Sequence, residues 1–253
     1  MSYERLEVER ERDGTVLRVW LNRPEKRNAL DQRALGEVGD LFRSLADDFE
    51  TKVVVLAGRG LSFCGGADRR EEAPPATSAR EERYRSQLGR RAMRAVEECP
   101  IPTVARVHGH AIGGGSCLAV SCDFRVTADT AIWSVPEVEL GLPLTWAATP
   151  RLIQEIGMAR ARQYILLAEG VDGATAEAWG LAHECVPEAD LDAGVDRWVE
   201  RLVALPDLAI DMAKSHFRSY AQAHALGDVT ETDGDVLTVA RGSDDFQQAF
   251  RRF

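Results

Sequence analysis

Apolar and polar residues change their period several times along the chain, and each change marks an element. TVLRVWLN (15–22) alternates and favours β structure, so it predicts a strand. NRPEKRN then breaks the pattern at Pro24. From Leu30 the apolar positions Ala34/Leu35, Val38, Leu41/Phe42 and Leu45 recur at helical spacing, which predicts a helix with one core-facing stripe. KVVVLAG (52–58) is a continuous apolar run closed by glycine, the pattern of a strand buried on both faces. RGLSFCGGAD (59–68) is a glycine-rich loop, and the charged RREEAPPATSAREER (69–83) is expected to be a mobile surface loop. YRSQLGRRAMRAVEEC (84–99) predicts a helix whose basic outer face is solvated. IPTVARVHG (101–109) is a second buried strand, and DFRVTAD (123–129) and AIWSV (131–135) are two further short ones. From about residue 145 the pattern is helical, punctuated at Gly157, Gly170, Gly180, Pro187 and Pro206. Strands alternate with helices and then helices dominate, so the fold class is α/β with a largely parallel core and a helical C-terminal region.

Between the second buried strand and the next helical run lies GHAIGGGSCLAVSC (109–122). Glycine costs backbone entropy, so three in a row ask for a purpose. A phosphate-binding P-loop fits poorly, because its lysine position is Gly115. The dinucleotide fingerprint GxGxxG is absent in any frame. Two readings stay open: close strand–helix packing, or a backbone N–H that must approach a ligand oxygen and stabilise developing negative charge. SFCGGAD (62–68) is a second glycine-rich turn directly after a buried strand. Two such turns can converge at the carboxyl edge of a parallel sheet, and two converging backbone donors are what an oxyanion hole needs.

The 253 residues suffice for one sizeable core. A net charge of −10 argues against nucleic acid or an anionic membrane as partner. No apolar run reaches the roughly 18 residues of a membrane span, and the polar start MSYERLEVERERDG has the pattern of neither a signal nor a transit peptide. Cys64, Cys99, Cys117, Cys122 and Cys185 form no CxxC pair or zinc spacing, so no metal site is expected and reduced thiols in a cytoplasmic protein are the simplest reading.

The chain resembles the crotonase superfamily, the enoyl-CoA hydratase/isomerase family. The resemblance rests on LNRPEKRNAL (21–30), SFCGGAD (62–68), VHGHAIGGGSCLAVSCDFRVTAD (107–129) and VPEVELGLPL (135–144), with RLIQEIG (151–157) and SDDFQQAF (243–250) in the same layout. It implies a ββα spiral core over residues 1–195 and a helical trimerisation region over 196–253, assembled as a homotrimer or dimer of trimers. It implies an acyl-CoA thioester substrate and no separate cofactor, since CoA arrives with the substrate. The two amides that would hold the thioester oxygen fall on Ala67 and Gly114. CoA-binding positions fall on Lys26, Arg27, Ala29, Gly65, Asp68 and Arg70; Lys26 and Arg27 would supply local positive charge for the CoA phosphates.

Hydratases of this family use two glutamates. The first position is here Cys117; the second is Glu137. A thiol with a reference pKa near 8.5 is a poor general base at neutral pH, so Cys117 reads as a small core residue. Ser116 has no evident histidine partner, and His108 and His110 read as structural. One carboxylate suffices for moving a double bond: Glu137 can take a proton from C2 of a 3-enoyl thioester and return it at C4. The leading expectation is therefore a Δ3,Δ2-enoyl-CoA isomerase, with a hydratase of atypical first position and a non-catalytic acyl-CoA binding protein as alternatives. Glu137 argues against the last. Trp133, Leu140, Leu142 and Trp146 are expected to line an apolar acyl pocket that raises the Glu137 pKa. Glu139, two residues on in an extended segment, is expected to face away.

Overall fold

The computed structural model describes residues 3–71, 74–224, 230 and 232–251. The first layer is a six-stranded sheet. Its strands are β1 (Leu6–Glu11), β2 (Val16–Leu21), β3 (Val53–Gly58), β4 (Thr103–Val107), β6 (Phe124–Ala128) and β9 (Glu184–Val186), side by side in that order. All pairings are parallel except β1 with β2. Every residue of β3 is buried, as its unbroken apolar run requires of an interior parallel strand. The second layer holds β5 (His110–Ile112), β7 (Ile132–Ser134) and β8 (Val171–Asp172). Single bridges Leu30–Ala67 and Cys64–Ala111 extend it. Each turn of the chain thus lays a long strand in the first layer and a short one in the second, then leaves through a helix.

The helices follow the same logic. α1 (Gln32–Ser44) buries Ala34, Leu35, Val38, Leu41 and Phe42, and Asp31 caps it by accepting the Ala34 N–H at 2.7 Å. It packs against α3 (Leu88–Glu98). α2 (Ala79–Ser86) begins inside the segment expected to be a loop, of which residues 72–73 lie outside the described residues. Ser78 accepts the Glu81 N–H at 3.2 Å while Glu81 reaches back to the Thr77 N–H at 2.7 Å, and these reciprocal caps start a helix that the charged composition conceals. α4 (Gly114–Val120) is buried along its whole length. α5 (Ala148–Leu166), α6 (Gly173–Trp179), α7 (Leu191–Val203), α8 (Asp207–His224), α9 (Asp233–Arg241) and α10 (Asp244–Phe250) complete the chain. The domain boundary expected at residue 195 falls inside α7, whose Val195, Val199 and Leu202 are buried.

Three strands escape the apolar pattern. β1 is an edge strand with the sequence LEVERE, in which four of six residues are charged, so little apolar signal remains. β8 and β9 are two and three residues long, too short to show a period. No described helix is long and apolar enough to cross a membrane.

Candidate active site

β3 and β4 are parallel neighbours, so the turns leaving their carboxyl ends adjoin. The first turn is pinned by the buried side chain of Asn28, whose Nδ2 donates to the carbonyls of Arg59 and Ser62, both at 2.8 Å. Gly66 then passes against the second turn. A β-carbon there would lie 2.6 Å from the Ile112 carbonyl oxygen and 3.5 Å from the Gly114 nitrogen. Its φ of +94° is a second reason why only glycine fits.

This approach brings two backbone amides to one cavity. Leu30 N–H donates to the Gly66 carbonyl at 2.7 Å and Asp68 N–H to the Leu30 carbonyl at 2.9 Å. In that parallel bridge the bonds fall on residues 66 and 68, which leaves the Ala67 N–H outside the ladder. Gly114 is the first residue of α4, so its N–H has no partner one turn earlier. Ala67 and Gly114 both line a cavity of about 580 Å³, together with Gly65, Gly66, Ile112 and Gly113.

Glu137 reaches the same cavity beside Gly113, from a 3-10 turn over Pro136–Leu140 that closes at Gly141 with φ +69°. Its Oε2 is enclosed and accepts no hydrogen bond from the described residues. Burial raises its pKa to about 7, against only a small lowering by a backbone hydrogen bond. The 3-10 turn corrects the expectation of an extended segment: Glu139 is exposed, yet it also borders the cavity. Asp68, Glu71 and Glu82 are on the wall as well. Asp68 is held by Arg23 at 2.8 Å, and Glu71 accepts the Gln32 N–H at 3.1 Å.

Cys117 is buried in α4 behind these groups and does not line the cavity. Burial, then the nearby Glu137 charge, drives its thiol pKa far up. Ser116 is paired with the Tyr164 hydroxyl at 3.0 Å. His108 is bonded to the Gly60 carbonyl at 2.8 Å, and His110 to the Ser62 hydroxyl at 3.0 Å. These four residues are held by packing and by the protein's own hydrogen bonds.

Of the expected acyl-pocket residues, Leu140, Leu142 and Trp146 line the cavity. Trp133 does not, and this is a correction. It lies between the outward Ile132 and Ser134 in β7, is fully buried, and donates its indole N–H to Thr127 Oγ1 at 3.0 Å. Strand alternation turns it into the core. Gly65 and Asp68 are on the wall, whereas Lys26, Arg27, Ala29 and Arg70 are not. Lys26 and Arg27 are exposed beside it, since the Arg27 carbonyl accepts the Gly65 N–H at 2.8 Å.

The sequence pattern missed Arg23, which sits in the quoted LNRPEKRNAL stretch. It donates to the Ala29 carbonyl at 2.6 Å and to Asp68 at 2.8 Å, and lies 3.3 Å from Asp31, so it ties the 24–30 loop to the first glycine turn. Leu237, Arg241 and Phe246, from α9 and α10, also reach the wall. Phe246 lies in the quoted SDDFQQAF stretch, but no local signal marks Leu237 or Arg241, which arrive from the far end of the chain. Among the described residues no group of three His, Cys, Asp or Glu side chains is placed to hold a metal.

A family model described as enoyl-CoA hydratase/isomerase matches residues 11–253. A crotonyl-CoA hydratase of Syntrophomonas wolfei is 33% identical over 216 residues, covering 85% of this chain and 82% of that protein. A peroxisomal Delta(3,5)-Delta(2,4)-dienoyl-CoA isomerase of Arabidopsis thaliana is 32% identical over 226 residues, with 85% and 81% covered. The crystal structure of an enoyl-CoA hydratase from Mycobacterium avium subsp. paratuberculosis superposes with a TM-score of 0.87 at 28% identity, covering 99% of this chain and 97% of that one. With sequence and fold matched over nearly the whole length, the chain belongs to the enoyl-CoA hydratase/isomerase family of the crotonase superfamily.

Proposed function

We propose that the protein isomerises 3-enoyl-CoA thioesters to 2-enoyl-CoA thioesters with Glu137 as its single acid/base. The observation that carries this reading is the enclosed, unpartnered Oε2 of Glu137 in the cavity that Ala67 and Gly114 line, with Cys117 walled off where a second carboxylate would stand. The Glu137 carboxylate removes a proton from C2. The electron pair spreads over the thioester oxygen and C4, and the Ala67 and Gly114 amides hold the negative oxygen. The same carboxyl returns its proton to C4, and the double bond ends between C2 and C3. A pKa of about 7 lets one group serve as base and then as acid near neutrality. No cofactor enters this balance, because CoA comes with the substrate.

The CoA moiety is assigned to the mouth formed by Gly65, Asp68 and the 24–30 loop. Lys26, Arg27 and Arg70 provide charge for its phosphates and Ala29 a backbone wall. Five free thiols suit a reducing compartment such as the cytoplasm. The exposed Leu208, Met212, Phe217 and Tyr220 of α8 offer an apolar surface for a homotrimer or a dimer of trimers, and light scattering reads that mass directly.

A hydratase is the second reading, favoured by the names of the Syntrophomonas and Mycobacterium relatives. Purified protein offered a 3-enoyl-CoA and a 2-enoyl-CoA separately decides between them. Conjugation of the first without hydration of the second supports the isomerase; fast hydration of the second overturns it. Tight binding with neither reaction would make the protein an acyl-CoA carrier.

A further inference from the structure

Trp146 is held in an unusual way. Its φ is +60° and that of Ala147 is +59°, two consecutive side-chain-bearing residues in the left-handed region. The Ala147 N–H is fixed by Asp233 Oδ2 at 2.7 Å, across to the head of α9. Such backbone strain persists only where surrounding contacts hold it. What it achieves is the placement of one ring. A β-carbon on Gly114 would lie 2.1 Å from Trp146 Cζ3, and one on Gly89 of α3 would lie 2.2 Å from Cε2 and Nε1. The indole therefore fills a slot that two bare glycines leave open between α3 and the start of α4. Trp146, Gly89 and Gly114 all border the cavity, so the slot is continuous with it.

We infer that the Trp146 indole is the stop that limits the acyl chain, so that the site selects short acyl-CoA thioesters and excludes longer ones. The inference rests on the acyl-thioester reading of the cavity and goes beyond it by naming the residue that sets chain length. The thioester carbonyl sits at the Gly114 amide, and the ring packs on the α-carbon of that same residue. A chain that would run on between α3 and α4 meets the indole edge. With the ring gone, the slot floored by Gly89 and Gly114 opens to the chain. An open apolar channel gives about a fourfold gain in affinity per added methylene, whereas a stop ends that gain.

The test is calorimetric titration of the 253-residue chain and its Trp146→Ala variant with saturated butyryl-, hexanoyl-, octanoyl- and decanoyl-CoA, with free CoA as reference. These esters bind without reacting, so the result does not depend on which reaction the enzyme catalyses. The wild type is expected to stop gaining affinity after the short chains. Trp146→Ala is expected to shift the octanoyl-to-butyryl preference by at least about tenfold, and Trp146→Phe to keep most of the wild-type preference. If the alanine variant fails to fold, Trp146→Leu carries the same comparison with a smaller shift in the same direction. A wild type that gains steadily through decanoyl-CoA overturns the inference, as does a folded variant whose affinities change equally at all lengths. Failure of the wild type to bind any acyl-CoA overturns the substrate reading itself. Length-selective binding without enoyl turnover leaves the stop standing and removes only the proposed reaction.

Discussion

Glu137 Oε1 lies so close to Gly113 that a β-carbon on that glycine would sit 2.5 Å from it. The residue before the Gly114 amide and the only cavity carboxylate with an enclosed, unpartnered oxygen among the described residues are thus packed in direct contact. Gly113 also has φ +51°, and its N–H donates to the Ser134 carbonyl at 2.7 Å. The three glycines therefore serve different ends: Gly113 admits the carboxylate, Gly114 admits the Trp146 ring, and Gly115 admits the Cys64 carbonyl oxygen, which would lie 2.3 Å from a β-carbon there.

Gly113→Ala combines a left-handed backbone with this clash. The expected cost is about 1–3 kcal/mol of stability. Turnover should fall far more than acyl-CoA affinity, because the carboxylate is pushed from its place. Thermal denaturation and steady-state kinetics on one preparation check it; an alanine variant with wild-type kcat would mean that Glu137 has room the geometry denies.

Glu137→Gln removes the proposed acid/base while keeping shape. A loss of about 10²–10⁴ in kcat is expected, with acyl-CoA binding retained. The same variant tests the buried charge through pH. Burial raises the folded-state pKa to about 7 from 4.5, so between these values the native protein binds more protons than the unfolded chain. Stability contributed by the protonated group is then present below pH 4.5 and lost as pH rises through about 7. At pH 8 the glutamine variant should exceed wild type by up to roughly 3 kcal/mol, and the difference should vanish in acid. Wild-type kcat/KM should rise with pH through an apparent pKa near 7, since the free base must be ionised. Denaturant melts across pH and a pH–rate profile read the two effects separately.

Cys117→Ala should leave turnover within about twofold and cost about 1 kcal/mol of stability, because the thiol fills core volume and does not meet the cavity. Cys117→Glu places a carboxylate in that same enclosed position, so the expected result is a destabilised fold without new hydratase activity. Hydration appearing in the glutamate variant would show that the α4 wall opens to water, contrary to its burial here.

Arg23→Ala should raise KM for acyl-CoA more than it lowers kcat. Its guanidinium joins the Ala29 carbonyl, Asp31 and Asp68, so it positions the loop assigned to CoA without touching the reacting carbons. Arg23→Lys should rescue little, because one ammonium cannot reproduce the forked geometry. Equal losses in kcat and kcat/KM would place the effect in the chemical step instead.

By itself the sequence determined whatever depends on local period and backbone freedom. The apolar runs located β2, β3, β4 and β6, and the helical stripe located α1. The two glycine turns stood out because glycine is costly wherever a bare backbone is not needed. The expectation that Cys117 stands at the family's first glutamate position likewise needs only the motif around it. Tertiary structure decided which side chains share a space. Trp133 and Trp146 are alike in sequence terms, yet strand alternation sends the first into the core and a left-handed turn lays the second across Gly89 and Gly114. Arg23 became visible as a clamp only when Ala29, Asp31 and Asp68 met around it, and Leu237 and Phe246 reach the cavity from α9 and α10. The physical reason is common to all of these. Periodicity records which face of an element is buried, but the partner on that face is set by long-range packing, to which no single stretch of chain gives access.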